Sequence, residues 1–243
     1  MIAQQIKSIT ETLPAGVRLC AVSKFHPVES LREAYDAGQR IFGESHVQEL
    51  SQKVAYFSGQ GLLPAVDDIF HHERIAWHFI GHLQTNKVKY LAPYVSLIHS
   101  MDSPRLFEEI AKQGQRVGRD IPCLVQLHVA REETKFGFTP EEAMDFLRSV
   151  SSRLVLPHCG VSLRGVMAMA SNTDDEARIR SDFRQAHRFF LDAKALLSEQ
   201  SGDAVASLFT ECSMGMSDDY RIALEEGSTI VRIGSTIFGP RQY

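Results

Sequence analysis

The sequence predicts an α/β fold, a single (β/α)8 barrel, of the TIM type, spanning residues 1–243. Three observations carry this. Eight short apolar runs alternate with helical patterns along the chain, and its 243 residues suit a fold that takes ~250. No G-x-G-x-x-G follows the first run, where the competing doubly wound sheet would place its nucleotide crevice.

The runs are "LCAVSK", "RIFGE", "WHFIG", "VSLIHS", "CLVQLHV", "LRGVMAM", "SLFTEC" and "TIVRIG". Short, continuous and apolar, they read as buried parallel strands. Among the intervening helices, Pro27 opens one with Val28, Leu31 and Tyr35 on a face and Gly38 closing it. Pro104 and Pro140 each stand at a first turn. The longest helix follows the cap region "SNTDDE" and lines Ile179, Phe183, Ala186, Phe190 and Leu197 along one face. The amino-terminal "MIAQQIKSITETL" reads as an amphipathic helix. Residues 58–74, "SGQGLLPAVDDIFHHER", form the one long irregular connection and read as a flexible loop.

Composition narrows the function. Apolar residues make up 44% of the chain, enough for a sizeable core, and the net charge is −4. That balance offers no basic field for nucleic acid and no polybasic membrane patch, so small-molecule partners are expected. Cys20, Cys123, Cys159 and Cys212 are scattered without a C-x-x-C pair and read as reduced core residues. With no leader and no run of ~18 apolar residues, a cytoplasmic location is expected. His71, His72, His78 and His82 include no H-E-x-x-H and no third ligand at a metal-site spacing, so no metal is expected.

Candidate site residues fall at the carboxyl ends of the runs, where a barrel builds its active site. In "LCAVSK", Lys24 shares the inward set with Cys20 and Val22 and so caps a buried column at the mouth. Burial favours a neutral amine, a nucleophile for carbonyls; the competing reading is a buried pair with Glu44 or another carboxylate. The segments "ECSMGMSDD" and "VRIGSTIFG" follow through strands seven and eight, where barrels commonly hold a phosphate. Gly215 and Gly234 admit close approach there, and Ser213, Ser217 and Ser235 offer hydroxyls. Arg232, sharing a face with Ile230, is either an interior ion pair or a contact to a ligand ring. Pyridoxal phosphate sites set an Asp or an Arg against the pyridine nitrogen. Met167, inward on the sixth strand, is core filler or packs on such a ring.

The stretches "AVSKFHP", "FGESHVQE", "WHFIGHLQTNK", "SMGMSDD" and "VRIGSTIFG" together resemble the pyridoxal phosphate homeostasis protein family, relatives of the barrel domain of alanine racemase. The resemblance runs over nearly the whole chain. It implies an alanine-racemase N-terminal-domain-like barrel whose cofactor, pyridoxal 5′-phosphate, is held as a Schiff base on Lys24 with Arg232 facing the pyridine nitrogen. Ser213, Met214, Gly234 and Ser235 would supply the phosphate cradle. The family usually reads "FGENYVQE", so Ser45 and His46 stand here in place of its Asn and Tyr.

The function this implies is intracellular buffering and delivery of the cofactor, with no catalytic residue assigned and pyridoxal-phosphate-dependent apo-enzymes as partners. The alternatives are a racemase-like enzyme using the same cofactor, and an aldolase whose Lys24 attacks a sugar phosphate directly. An efficient racemase is not expected, because the chain closes at "FGPRQY" straight after the eighth run and leaves no length for a second domain. Arg232 argues against the aldolase.

Overall fold

The computed structural model describes residues 1–66, 68–70, 73–132 and 136–240. Eight parallel strands close a barrel in chain order, β1 pairing with both β2 and β8. They are β1 (Arg18–Val22), β2 (Ile41–Glu44), β3 (Ala76–Phe79), β4 (Leu97–Met101), β5 (Ile121–Leu127), β6 (Val161–Ala168), β7 (Glu211–Ser213) and β8 (Ile230–Ile233). Every run read from the sequence overlaps one. In "SLFTEC" only the last two residues do, because Leu208 and Phe209 close the preceding helical turns with main-chain bonds to Val205 and Ala206.

The principal helices are α1 (Ile2–Thr10), α2 (Val28–Asp36), α3 (Val47–Gly59), α4 (Val88–Leu91), α5 (Pro104–Val117), α6 (Pro140–Leu154) and α7 (Glu176–Ser201). Three short ones follow: α8 (Asp203–Ala206), α9 (Tyr220–Glu225) and α10 (Ser235–Phe238). Local chemistry sets their starts. Ser103 accepts from the Leu106 amide ahead of Pro104, Thr139 and Glu142 form a reciprocal capping box around Pro140, and Asp175 accepts from the Ala177 and Arg178 amides. Each satisfies donors that a bare first turn would leave open. The five residues expected along one face of α7 are all buried.

Strand alternation sorts the core into two parts. Outward residues such as Leu19, Phe42, Trp77, Ile98, Val125, Val166 and Val231 pack against the helices. Inward residues Cys20, Ile41, Ala76, Leu97, Leu124, Met167 and Ile230 fill the barrel together with Ala65 and Ile69. On β6 the register slips by one residue against β5, and Gly165 absorbs the slip at φ +146; a Cβ there would collide with the Glu211 carbonyl of β7.

In the connection read as a flexible loop, the described residues 58–66, 68–70 and 73–74 are held by packing and hydrogen bonds. α3 extends through Gly59, and Pro64 bridges Ile75 in parallel fashion while the Ala65 amide donates to the Ile75 carbonyl. The Ala65 and Val66 carbonyls accept from Ser96 Oγ and Arg119, and Ala65 and Ile69 are buried. Because this segment leads into β3, its described residues Ala65 and Ile69 close the amino-terminal end of the barrel, opposite the mouth. Its pattern looks irregular because it caps strands rather than extending them. All four cysteines are buried and free, and no helix among the described residues is long and apolar enough to cross a membrane.

Candidate functional site

At the carboxyl end of the strands a cavity of about 270 Å³ is lined by Lys24, Ser217, Asp218, Arg232, Gly234 and Ser235, among others. β1 and the residues after it supply Val22, Lys24 and His26; β8 and the turn into α10 supply Arg232, Gly234 and Ser235. Gly234 brings that turn against β1, since a Cβ at Gly234 would stand 3.0 Å from the Val22 carbonyl. The Ser235 hydroxyl donates to Ser217 Oγ at 3.2 Å, tying the β8 turn to the loop after β7.

Arg232 is buried, and its guanidinium is held by three contacts to two neighbouring strands. Nη1 donates to Ser213 O at 2.9 Å and to Ser213 Oγ at 2.6 Å, and Nη2 to Ala168 O at 3.1 Å. No carboxylate among the described residues pairs with it, so the interior ion pair that the sequence left open is not formed. Burial pushes its pKa below the usual arginine range. Cys20, opposite it in register on β1, has its thiol pushed up to about 12 by burial and stays neutral.

The strand end that carries Lys24 is anchored from behind the wall. Ser23 Oγ donates to Glu44 Oε1 at 2.6 Å, and Lys53 Nζ donates to Ser23 O at 2.8 Å and to Glu44 Oε1 and Glu49 Oε1 at 2.7 Å each. Glu49 Oε1 also accepts from the Phe25 amide at 2.7 Å, where Phe25 takes a left-handed φ of 65°. Glu44 thus points outward and engages Lys53 and Ser23; the competing reading of Lys24 as its partner assigned it the wrong lysine. Burial raises the Glu44 carboxyl to about 7 against the pull of Lys53, and its Oε2 has no hydrogen-bond partner. Lys53 was overlooked in the sequence although it sits on the apolar stripe of α3 with Leu50, Val54 and Phe57.

The remaining expected residues divide. Ser213 is fully buried beneath the cavity with its hydroxyl between Arg232 and His99. Met167 lies in the same interior layer, in register with Ser213. The Met214 side chain packs outward among the helices, while its amide donates to Ile230 O and its carbonyl accepts from Ser228 Oγ at 2.8 Å. Ser45 and His46 lie beside the mouth, with His46 packed on Phe25 at 5.1 Å between ring centroids. His82 Nδ1 lies 3.0 Å from Asp102 Oδ2. His71 and His72 lie outside the described residues, and no group of three metal-ligating side chains occurs among the described ones.

Residues 1–242 match the family model described as the alanine racemase N-terminal domain, the class of barrel that this fold and mouth define. A pyridoxal phosphate homeostasis protein of Pasteurella multocida is 36% identical over 229 residues, covering 94% of this chain and 88% of the relative. This chain belongs to the pyridoxal phosphate homeostasis protein family. PipY of Synechococcus elongatus, solved with pyridoxal phosphate bound, superposes with a TM-score of 0.82 at 33% identity, over 98% of this chain and 100% of that one. Alanine racemase from E. faecalis shares the fold, with a TM-score of 0.61 at 16% identity over 98% of this chain and 57% of that one.

Proposed function

We propose that this chain binds pyridoxal 5′-phosphate in the cavity at the barrel mouth, covalently through Lys24, and serves to buffer the cofactor and hand it to apo-enzymes without efficient catalysis of its own. The observation that carries the reading is the convergence of Lys24, Arg232, Gly234 and Ser235 on one cavity.

The residues fit the group on three counts. A buried guanidinium with no carboxylate bonded to it presents positive charge beneath the cavity, which favours an anionic or electron-rich occupant. Gly234 keeps the turn opposite Lys24 free of a side chain, and the paired hydroxyls of Ser217 and Ser235 give a phosphate donors. The volume falls just under the roughly 300–1,000 Å³ of drug-sized sites, suiting one ring with a phosphate arm. PipY, a relative of similar extent, was solved with this cofactor bound.

When bound, pyridoxal phosphate supplies an aldehyde for amines and a ring that withdraws electrons from them. Lys24 would hold the aldehyde carbon, and Ser217, Gly234 and Ser235 the phosphate. Ser213 would hold Arg232 in place, and Met167 would form the floor. Arg232 would face the ring nitrogen; a guanidinium keeps its own protons and leaves that nitrogen unprotonated, a weaker electron sink than an Asp partner would produce. Such a site retains its cofactor better than it drives carbanion chemistry.

The test is borohydride reduction of the loaded protein followed by mass spectrometry. One phosphopyridoxyl adduct on Lys24, abolished in Lys24→Ala, is expected. Labelling that appears only with an added sugar phosphate would replace this reading with an aldolase. Proton NMR of amino acids in D₂O with the loaded protein should show no Cα–H exchange above a free-cofactor control; rapid exchange lost in Lys24→Ala would make it an enzyme.

A further inference from the structure

Two histidines inside the barrel are not used by the site proposed above. His78 comes from β3 and His99 from β4, both on the inward phase of their strands and fully buried. Their rings join end to end. His78 Nε2 lies 3.0 Å from the Ile69 carbonyl oxygen, His78 Nδ1 3.0 Å from His99 Nε2, and His99 Nδ1 3.0 Å from Ser213 Oγ. Ser213 Oγ in turn accepts from Arg232 Nη1. The row crosses the barrel from the segment that closes its amino-terminal end to the arginine at the mouth.

The carbonyl at one end fixes every proton along the row. A carbonyl only accepts, so His78 carries its proton on Nε2. In a neutral ring Nδ1 is then an acceptor and takes the proton of His99 Nε2. His99 Nδ1 is an acceptor by the same logic, so the Ser213 hydroxyl donates to it. The serine lone pairs are thereby left for Arg232, which is a donor only, and donor meets acceptor at all four contacts. A second proton on His78 would force His99 into its other tautomer and leave Ser213 facing two donors. Burial favours the neutral rings: it lowers His78 to about 4 and His99 well below the usual histidine range, His78 and Arg232 adding to the effect on His99. The ionisable groups that act on Arg232 are Cys20 on β1, Cys212 on β7 and Asp219 in the loop after β7.

We propose that His78 and His99 are positioning residues for the cofactor cavity. The one-way row from Ile69 to Arg232 presents the Ser213 hydroxyl as an acceptor and so fixes the plane and direction of the guanidinium. Three hydrogen bonds hold it to Ser213 and Ala168, and the row determines where its remaining N–H groups face. The inference rests on the reading of the cavity as a pyridoxal phosphate site, and its test keeps the two separable.

The row itself is read first, without ligand. Proton–nitrogen correlation NMR of protein carrying ¹⁵N-histidine should show His78 and His99 as neutral rings protonated on Nε2 at neutral pH. A proton on Nδ1 of either ring would overturn the row whatever the cavity binds. The link to the cavity is read next with His99→Leu and His99→Gln. His99→Leu should weaken pyridoxal phosphate binding by about tenfold and move the visible absorption maximum of the bound cofactor, while borohydride still fixes the cofactor on Lys24 at saturation. His99→Gln, which can both accept and donate, should restore most of the affinity and the spectrum. A folded His99→Leu protein with parental affinity and spectrum would overturn the positioning role. Should that variant fail to fold, Ser213→Ala cuts the same link without leaving a large hole, and parental affinity and spectrum there would overturn the role equally. Failure of the parent to bind pyridoxal phosphate would fall on the cavity reading, since the tautomers are measured without it.

Discussion

Lys24 and Arg232 reach one cavity from adjacent strands, Lys24 just past the end of β1 and Arg232 within β8, and the two regions that hold them are built on different electrostatics. Behind Lys24, between β1, β2 and α3, two carboxylates and an ammonium share hydrogen bonds with the main chain of Ser23 and Phe25. Beneath Arg232 the hydrogen-bonded support is neutral: a serine hydroxyl, two histidines and three carbonyls. Position explains the difference. The cluster behind Lys24 lies at the sheet–helix interface, where Glu49 keeps its side chain 21% exposed and part of the charge meets water. The barrel interior has no such outlet. A counter-carboxylate there would neutralise Arg232, whereas oriented dipoles stabilise the guanidinium and leave its charge available to a ligand.

The largest effect expected from breaking this comparison is on the charged side. Lys53→Met leaves Glu44 and Glu49 without their cation and should destabilise the fold by about 3–5 kcal/mol, read from urea denaturation. A loss under ~1 kcal/mol would mean that the cluster does not anchor the end of β1.

The two regions should also respond to pH with opposite sign. Glu44 titrates higher in the folded chain, from 4.5 to about 7. Its contribution to stability is therefore complete below pH 4.5 and lost as the pH climbs toward 7. His78 titrates lower, from 6.5 to about 4, so its contribution is complete above pH 6.5 and lost as the pH falls toward 4. Each is worth on the order of 3 kcal/mol over its full window, and between pH 4.5 and 6.5 they oppose each other. Stability measured from pH 4 to 7 should rise more steeply with pH in Glu44→Gln than in the parent, and less steeply in His78→Gln. Parallel curves for parent and Glu44→Gln would remove Glu44 from the titration.

The smallest effect on the fold sharpens the division between holding the site and touching the ligand. Ser217→Ala with Ser235→Ala, at the open side of the cavity, should leave stability within about 0.5 kcal/mol of the parent. Pyridoxal phosphate retention should weaken by at least about tenfold, since hydrogen bonds to a charged phosphate are worth more than neutral ones. Unchanged retention, measured by equilibrium dialysis, would place the phosphate elsewhere.

The order of strands and helices was legible along the chain, because apolar periodicity, prolines at first turns and capping side chains act over a few residues. Pro104 and Pro140 at their first turns and the cap region that holds Asp175 were readable on those terms. So were Lys24, Arg232, Gly234 and Ser235, since strand alternation and the carboxyl-end rule of a parallel barrel bring these positions to one place. Their supports were settled by packing between distant strands. His78 and His99 stand at inward positions of apolar strands, a phase that marks them as interior, but what they touch lies on β7 and at the far end of the barrel. Lys53 showed itself as a cation on the apolar stripe of α3, yet its carboxylate Glu44 is fixed only when α3 packs across β2. The connection 58–74 carried no periodicity, because its described residues Ala65 and Ile69 pack across an end that exists only once the strands have met. Local chemistry acts between neighbours in the chain, whereas burial and hydrogen-bond partnership are settled when the barrel closes and brings distant strands together.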